Sequence, residues 1–294
     1  MLSKLVYFII RGFIHLELII YTMRIKILLL FVITTVLGCK HGPNIEVHDD
    51  FKKYFDENNV SGCFALYDLN NHKYLIYDTS EYKQQFLPCS TFKICNTLIG
   101  LETGVIPDEN YIIKWDSVVR FSEDWNQDLD LKRAFKYSAF WYYQELARRV
   151  GGKRMKYWLD TAHYGNTDTS GGIDKFWLYG GLRISPQQQI EFLKRVHNDS
   201  LPFSKRNIEI LKKIMIIKDT TNFVLRGKTG WGFINNVEVG WFVGYIETNN
   251  NTYIFANYIH CDMALKNPAF ETARKGIPLK ILSSLGLAPK NFTY

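Results

Sequence analysis

Two strand–turn–strand patterns stand at opposite ends of the chain with helix-like sequence between them, and this separation limits the fold more than any other feature. Near the start, Cys63-Phe64-Ala65-Leu66-Tyr67 and Tyr74-Leu75-Ile76-Tyr77 flank the turn residues Asn70-Asn71. Near the end, Val237 to Ile246 and Thr252 to Ile259 flank Asn249-Asn250-Asn251. Four stretches between them have helical length and spacing: Ser90 to Thr103, Ser138 to Arg149, Ser185 to His197 and Ile208 to Ile217. Gly104 and Gly151 sit where helix C-caps belong, and Ser185-Pro186 has the form of a helix start. This order predicts an α/β chain of the α+β type, with a central antiparallel sheet built from both chain ends, flanking helices and a helical subdomain.

The first 38 residues differ from the rest. Leu5 to Ile20 is apolar but interrupted by Arg11, His15 and Glu17; Ile27 to Leu37 carries no charge. The second run follows the basic start Met23-Arg24-Ile25-Lys26 and precedes Val36-Leu37-Gly38-Cys39, the layout of an export signal. It is short of the roughly 20 apolar residues a bilayer span needs. Val36 to Cys39 resembles a bacterial lipobox, which implies lipidation at Cys39, with Met23 as the initiator and residues 1–22 over-called. An uncleaved anchor, or a plain signal cut elsewhere, is the alternative. The expected organisation is therefore 1–38 signal or over-called segment, 39–59 lipidated polar tether, and 60–294 a single domain, exported to the periplasm and tied to a membrane only through the lipid.

Residues 1–38 carry Lys4, Arg11, Arg24 and Lys26 against Glu17, so removing them lowers the net charge of +7 to +4. The remaining Lys and Arg are dispersed, which argues against a nucleic-acid partner. With 47% hydrophobic residues in 294, disorder is excluded and a sizeable core is available. Cys63, Cys89, Cys95 and Cys261 lack CxxC or metal-like spacing, so no metal site is expected and unpaired core thiols are.

Four segments concentrate the chemistry. In Pro88-Cys89-Ser90-Thr91-Phe92-Lys93 a serine and a lysine three apart share one helix face at its N-terminus. A hydroxyl becomes a nucleophile only when a base takes its proton, and burial can keep a lysine neutral enough to do so. A surface lysine after an N-cap is the plain alternative, but Phe92, Ile94, Leu98 and Ile99 suggest a helix buried all round. Tyr137-Ser138-Ala139-Phe140 opens an aromatic helix, and alone Ser138 reads as its N-cap. Arg226-Gly227-Lys228-Thr229-Gly230-Trp231-Gly232 sets a cation and a hydroxyl between glycines before the last hairpin, so that a ligand can lie against an edge strand. The glycine spacing of a phosphate loop is absent. Tyr164-Gly165-Asn166, then Gly171 to Leu178, reads as an ordered loop in which Trp177 is a core residue.

Taken in this order, Ser90-Thr91-Phe92-Lys93, the Ser138 segment and Lys228-Thr229-Gly230 resemble the penicillin-recognising serine enzymes. With Tyr164-Gly165-Asn166 and Asp174-Lys175-Phe176-Trp177-Leu178, the pattern resembles the class D, oxacillinase-type β-lactamases over roughly residues 60 to 290. The resemblance implies hydrolysis of a β-lactam ring, and thus antibiotic resistance, through an acyl-enzyme on Ser90. It implies that Lys93 reacts with carbon dioxide to form a carbamate base, with no other cofactor, in a pocket of Phe92, Phe140, Trp177 and Leu178. Ser138 would relay a proton, helped by Lys228; the backbone N–H groups of Ser90 and Trp231 would form an oxyanion hole; Thr229, Gly230 and Arg274 would bind substrate. Arg274 is matched only through Arg274-Lys275-Gly276-Ile277-Pro278, and a solvated arginine is its alternative.

The sequence departs from the family at two places. Ser138-Ala139-Phe140 replaces Ser-x-Val, and Cys89 stands where alanine is usual, so substrate range is less determined than reaction type. A β-lactam sensor or penicillin-binding protein, acylated without turnover, is the second reading, and Trp141-Tyr142-Tyr143-Gln144 resembles such sensors. The membrane protease region of those receptors is not seen in these residues, and the Phe92 form of the first motif favours the hydrolase. A class A enzyme fits worse, lacking Ser-Asp-Asn, and an inert scaffold leaves Ser90, Lys93 and Lys228 unexplained. The oligomeric state is left open by the sequence.

Overall fold

The computed structural model describes Gly12, His15, residues 17–26, residues 44–289 and Phe292. Ile27 to Leu37 and Cys39, with the export and lipidation readings that rest on them, lie outside the described residues. The chain divides into two units, 1–42 and 43–294. In the first, residues 17–26 are helical. No helix among the described residues is long and apolar enough to cross a membrane.

The second unit is organised by one antiparallel ladder between the two hairpins. Strand β1 is Asn44–Val47, β2 Ser61–Asp68 and β3 Lys73–Tyr77; β4 (Ile112–Ile113) and β5 (Leu129–Asp130) form a small ribbon; β6 is Ile216–Asp219, β7 Phe223–Ile234, β8 Val237–Thr248 and β9 Thr252–Asp262. β2 pairs antiparallel with β9, Ala65 opposite Ala256, joining the two chain ends in a seven-stranded sheet ordered β1-β3-β2-β9-β8-β7-β6. All its pairs are antiparallel except β1 with β3, which is parallel, so the sheet departs at this edge from the wholly antiparallel expectation.

Both sheet faces are covered, and alternation along the strands shows how. On β2, Cys63, Ala65 and Tyr67 enter one apolar core while Phe64 and Leu66 enter another; on β8, Trp241, Val243 and Tyr245 part from Phe242 and Ile246 in the same way. The first core lies under the helices α3 (Lys93–Glu102), α5 (Phe140–Val150), α6 (Gly152–Ala162), α7 (Pro186–His197) and α8 (Lys205–Ile214). The second is closed by α1 (Lys52–Asp56) and α9 (Phe270–Ser284). Two further helices are short, α2 (Thr79–Tyr82) and α4 (Leu131–Lys136).

Two expectations are corrected. Residues 44–59 are not a tether: Asn44–Val47 is an edge strand, and Phe51 and Phe55 are buried in the second core, their rings against Phe64 and Tyr77. Polar composition concealed two aromatic anchors. The helix expected over Ile208 to Ile217 runs from Lys205 to Ile214, and Ile216 and Ile217 enter β6 because the β-branched pair can pair with β7. Arg226 to Gly232 precedes the last hairpin as expected, within strand β7. Cys63, Cys89, Cys95 and Cys261 are free and buried.

Deleting the Phe55 ring should cost about 3–5 kcal/mol, as for other buried aromatics. Urea denaturation of Phe55→Ala measures this, and a loss below about 1 kcal/mol would show that residues 44–59 are peripheral to the fold.

Candidate active site

The nucleophile segment is a 3-10 turn, Cys89–Phe92, running directly into α3. Ser90 and Lys93 thereby share a face, and Lys93 Nζ donates a 2.5 Å hydrogen bond to Ser90 Oγ. Every residue from Lys93 to Leu101 is buried, which fulfils the all-round burial read from the apolar pattern. Lys93 is 0% exposed, and this loss of solvent pushes its amine down to about 7. Near neutrality a large fraction of Lys93 is therefore an uncharged amine whose lone pair can take the hydroxyl proton. Cys89, in the left-handed region at φ 50°, is fully buried; burial pushes its thiol up to about 12 and leaves it unreactive.

Ser138 is not a helix cap. It lies one residue before the N-cap position, occupied by Ala139, and has φ 57°. The Ser138 N–H donates to Phe135 O at 3.2 Å and the Ala139 N–H to Ala134 O at 3.0 Å, so the end of α4 folds back and turns Ser138 into the cleft.

The third wall is β7. Strand β6 pairs only with Val224 to Arg226, and the Gly227 N–H donates to Met215 O, so beyond Gly227 the outer edge of β7 meets no strand among the described residues. N–H directions alternate along a strand, hence those of Thr229 and Trp231 point to this open edge. Side chains alternate as well: Lys228, Gly230 and Gly232 face the Ser90 turn, while Thr229 and Trp231 face α9. Gly230 is required by that approach, since a Cβ there would stand 3.0 Å from Pro88 O and 3.2 Å from Thr91 Cγ2. Lys228 is 5% exposed, donates to Thr229 O at 3.0 Å, and is held well below the usual lysine range by burial and by the charges of Lys93, Arg274 and Lys275.

Arg274 is not a solvated arginine. It is 7% exposed, donates from Nη1 to Gly230 O at 3.1 Å, and lies 4.9 Å from the centre of the Trp231 ring. Gly240 makes room for it: a Cβ at Gly240 would meet Arg274 Cγ at 2.5 Å. A glycine inside an apolar strand is the one sequence signal of this passage, and it does not by itself say which side chain passes there.

Ser90, Ser138, Thr229, Trp231 and Arg274 line one cleft of about 530 Å³; Lys93 is buried behind Ser90, and Lys228 lines an adjoining cavity with Phe135 and Thr229. Of the pocket residues, Phe92 and Trp177 are fully buried with ring centres 5.2 Å apart, and Trp177 Nε1 is a buried donor without a partner. Leu178 and Phe140 line the cleft instead, Phe140 with its ring 5.0 Å from Trp125. Tyr164-Gly165-Asn166 braces the Trp177 loop: Asn166 Nδ2 donates to Gly181 O and its Oδ1 accepts from the Arg183 N–H. Two further residues of the site are Trp125, which lies outside every motif, and Tyr143, in the Trp141 to Gln144 stretch; Lys93 Nζ lies 5.4 Å from the centre of the Tyr143 ring. Among the described residues no cluster of three or more His, Cys, Asp or Glu could hold a metal.

The depressed Lys93 amine carries a stability signature. The unfolded chain holds this proton up to the ordinary lysine value, whereas the folded chain releases it near 7, so stability rises with pH in between. In CO2-free buffer, the stability of the wild type relative to Lys93→Met should increase by about 2 kcal/mol from pH 7 to pH 9. A difference independent of pH, measured by urea denaturation, would refute the buried neutral amine.

Residues 54–271 match the family model of the penicillin binding protein transpeptidase domain. The chain is 40% identical over 243 residues to the protein named probable beta-lactamase YbxI of Bacillus subtilis, covering 83% of this chain and 85% of that one. A class D β-lactamase structure from Nostoc is 43% identical with a TM-score of 0.77, covering 81% of this chain and 99% of that one. The C-terminal domain of the Bacillus licheniformis BlaR penicillin receptor is 36% identical with a TM-score of 0.79, covering 84% and 99%. A buried Ser90–Lys93 pair against an open β7 edge, on a chain this similar to them, places the protein in the penicillin-binding transpeptidase-domain family, among the class D β-lactamases.

Proposed function

We propose that this chain hydrolyses the β-lactam ring of penicillin-type antibiotics through an acyl-enzyme on Ser90. One observation carries the reading: the fully buried Lys93 amine, 2.5 Å from Ser90 Oγ, behind a cleft walled by Thr229 and Arg274. Arg274 and the Thr229 hydroxyl receive the carboxylate of the antibiotic, which sets the ring carbonyl against Ser90. Lys93 takes the hydroxyl proton as Ser90 Oγ bonds to the carbonyl carbon. The N–H of Ser90, in the first turn of a helix where no helical carbonyl meets it, and the edge N–H of Trp231 hold the oxygen that gains the charge. Each donor of this kind contributes about 3 kcal/mol. The ring C–N bond then breaks, the Ser138 hydroxyl gives its proton to the departing nitrogen, and the proton held by Lys93 passes by way of Lys228 to restore the hydroxyl, leaving Lys93 neutral again. In the second half Lys93 takes a proton from a water as the water oxygen bonds to the acyl carbon, and gives that proton to Ser90 Oγ as its bond to the acyl carbon breaks.

The residues present suit a carbamate on Lys93. The amine is neutral enough to react with carbon dioxide, its surroundings are apolar, and the unpartnered Trp177 Nε1–H awaits an acceptor beside Phe92. A carbamate there would supply a carboxylate general base stronger in position than the bare amine. With 13C-bicarbonate, the wild-type chain should show a carbamate carbon signal by NMR that Lys93→Ala lacks and Trp177→Phe weakens. Equal signals in all three would refute this fit.

The likeness to the BlaR receptor domain keeps a second reading, a sensor acylated without turnover. Export and a lipid at Cys39 complete the proposal, supported by the charge-free run Ile27 to Leu37 and the residues before Cys39. The decisive experiment mixes the purified chain with a penicillin in bicarbonate and follows ring opening together with intact protein mass. The hydrolase gives turnover with a transient adduct on Ser90, abolished in Ser90→Ala; a lasting one-to-one adduct without turnover establishes the sensor, and no adduct refutes both.

A further inference from the structure

We propose that Trp125 is a positioning residue, whose indole N–H latches the Ser138 turn while its ring lines the cleft, so that one side chain ties substrate contact to the group that moves the proton. The inference rests on the proton-transfer role of Ser138. At φ 57°, Ser138 takes the left-handed position just past the end of α4, where its own N–H and that of Ala139 return to Phe135 O and Ala134 O and close the turn. Those bonds set the shape of the turn, and a bond from outside ties it to the wall of the cleft. Trp125 Nε1–H donates to Tyr137 O at 2.8 Å, the carbonyl of the peptide whose nitrogen belongs to Ser138. Because that peptide is planar, fixing Tyr137 O also fixes the Ser138 nitrogen and Cα, the point from which the Ser138 side chain leaves the chain.

The latch is itself anchored. Trp141 Nε1–H, from a residue buried in α5, donates to Trp125 O at 2.9 Å. The loop that carries Trp125 is cross-braced by paired bonds between Arg120 and Asn126, the Arg120 N–H to Asn126 Oδ1 at 2.8 Å and Asn126 Nδ2 to Arg120 O at 2.9 Å. The Trp125 ring is wedged between Phe140, at 5.0 Å, and Phe121, at 4.8 Å and 86% exposed at the mouth of the cleft. The same ring therefore meets whatever enters the cleft and, through its N–H, holds the peptide that aims Ser138.

Trp125→Phe keeps an aromatic ring at the cleft and removes the indole N–H that makes the latch. Rapid-mixing measurement of acylation by a penicillin should show the limiting rate falling about tenfold, within the range of a misplaced proton donor, with the substrate dissociation constant changed less than about twofold. In a Ser138→Ala background the same substitution should have no further effect, because the latch acts through the removed hydroxyl. Trp141→Phe, which leaves Trp125 in place, should slow acylation in the same direction by less, and serves if Trp125→Phe fails to fold. Wild-type acylation in both tryptophan variants, or a double variant slowed by the product of the two single effects, overturns the latch while leaving Ser138 in its role. Ser138→Ala acylating at the wild-type rate overturns the role itself and the latch with it.

Discussion

Everything in the site depends on burying one amine. A lysine removed from water on all sides costs free energy as an ammonium, and the protein meets that cost by letting Lys93 approach neutrality rather than by pairing it with a carboxylate. This explains why α3 is buried from Lys93 to Leu101. It also explains the aromatic enclosure: Phe92 packs with Tyr164, Phe176 and Trp177, and Tyr143 lies against the amine. A carboxylate partner for Lys93 would have restored its charge and removed the base. The core and the catalytic apparatus are thus one and the same, and changes that admit water to the first core act on chemistry as well as on stability.

The second constraint is an interrupted sheet edge. Because β6 stops at the level of Arg226, β7 offers two unpaired N–H groups and side chains on both faces to the same opening. Lys228 reaches the Ser90 turn from one face, while Thr229 and Trp231 meet Arg274 from the other. Such proximity is possible only where side chains are missing: Gly230 lets the strand touch the Ser90 turn, and Gly240 lets the Arg274 stem pass across β8. The outcome is a cleft lined by Arg274, which also meets Glu271 at 3.6 Å, beside a dry serine–lysine pair.

The departures from the family pattern are absorbed in specific ways. Cys89 is an inert filler whose sulfur packs over Gly232. Phe140 turns toward Trp125 and the cleft, so its effect falls on the shape of the mouth and on the Ser138 turn.

Much of this is legible in the residues. The two hairpins, the helical middle and the i, i+3 spacing of Ser90 and Lys93 follow from local periodicity, which survives any tertiary arrangement. The apolar run after Lys93 is a local signal of its burial. Residues 44–59 read as a tether because polar composition outweighs Phe51 and Phe55, whose partners Phe64 and Tyr77 lie beyond the reach of a local pattern. Ser138 reads as a cap because only the returning end of α4 and the Trp125 N–H show that it is held outside the helix. The sequence by itself determined the chemistry available, a serine, a lysine able to lose its charge and a cationic edge, since these are properties of residue type and short spacing. Tertiary structure alone decided that Lys93 is dry, that β7 has an open edge and that Arg274 reaches it, because desolvation and strand pairing are set by groups distant in the chain.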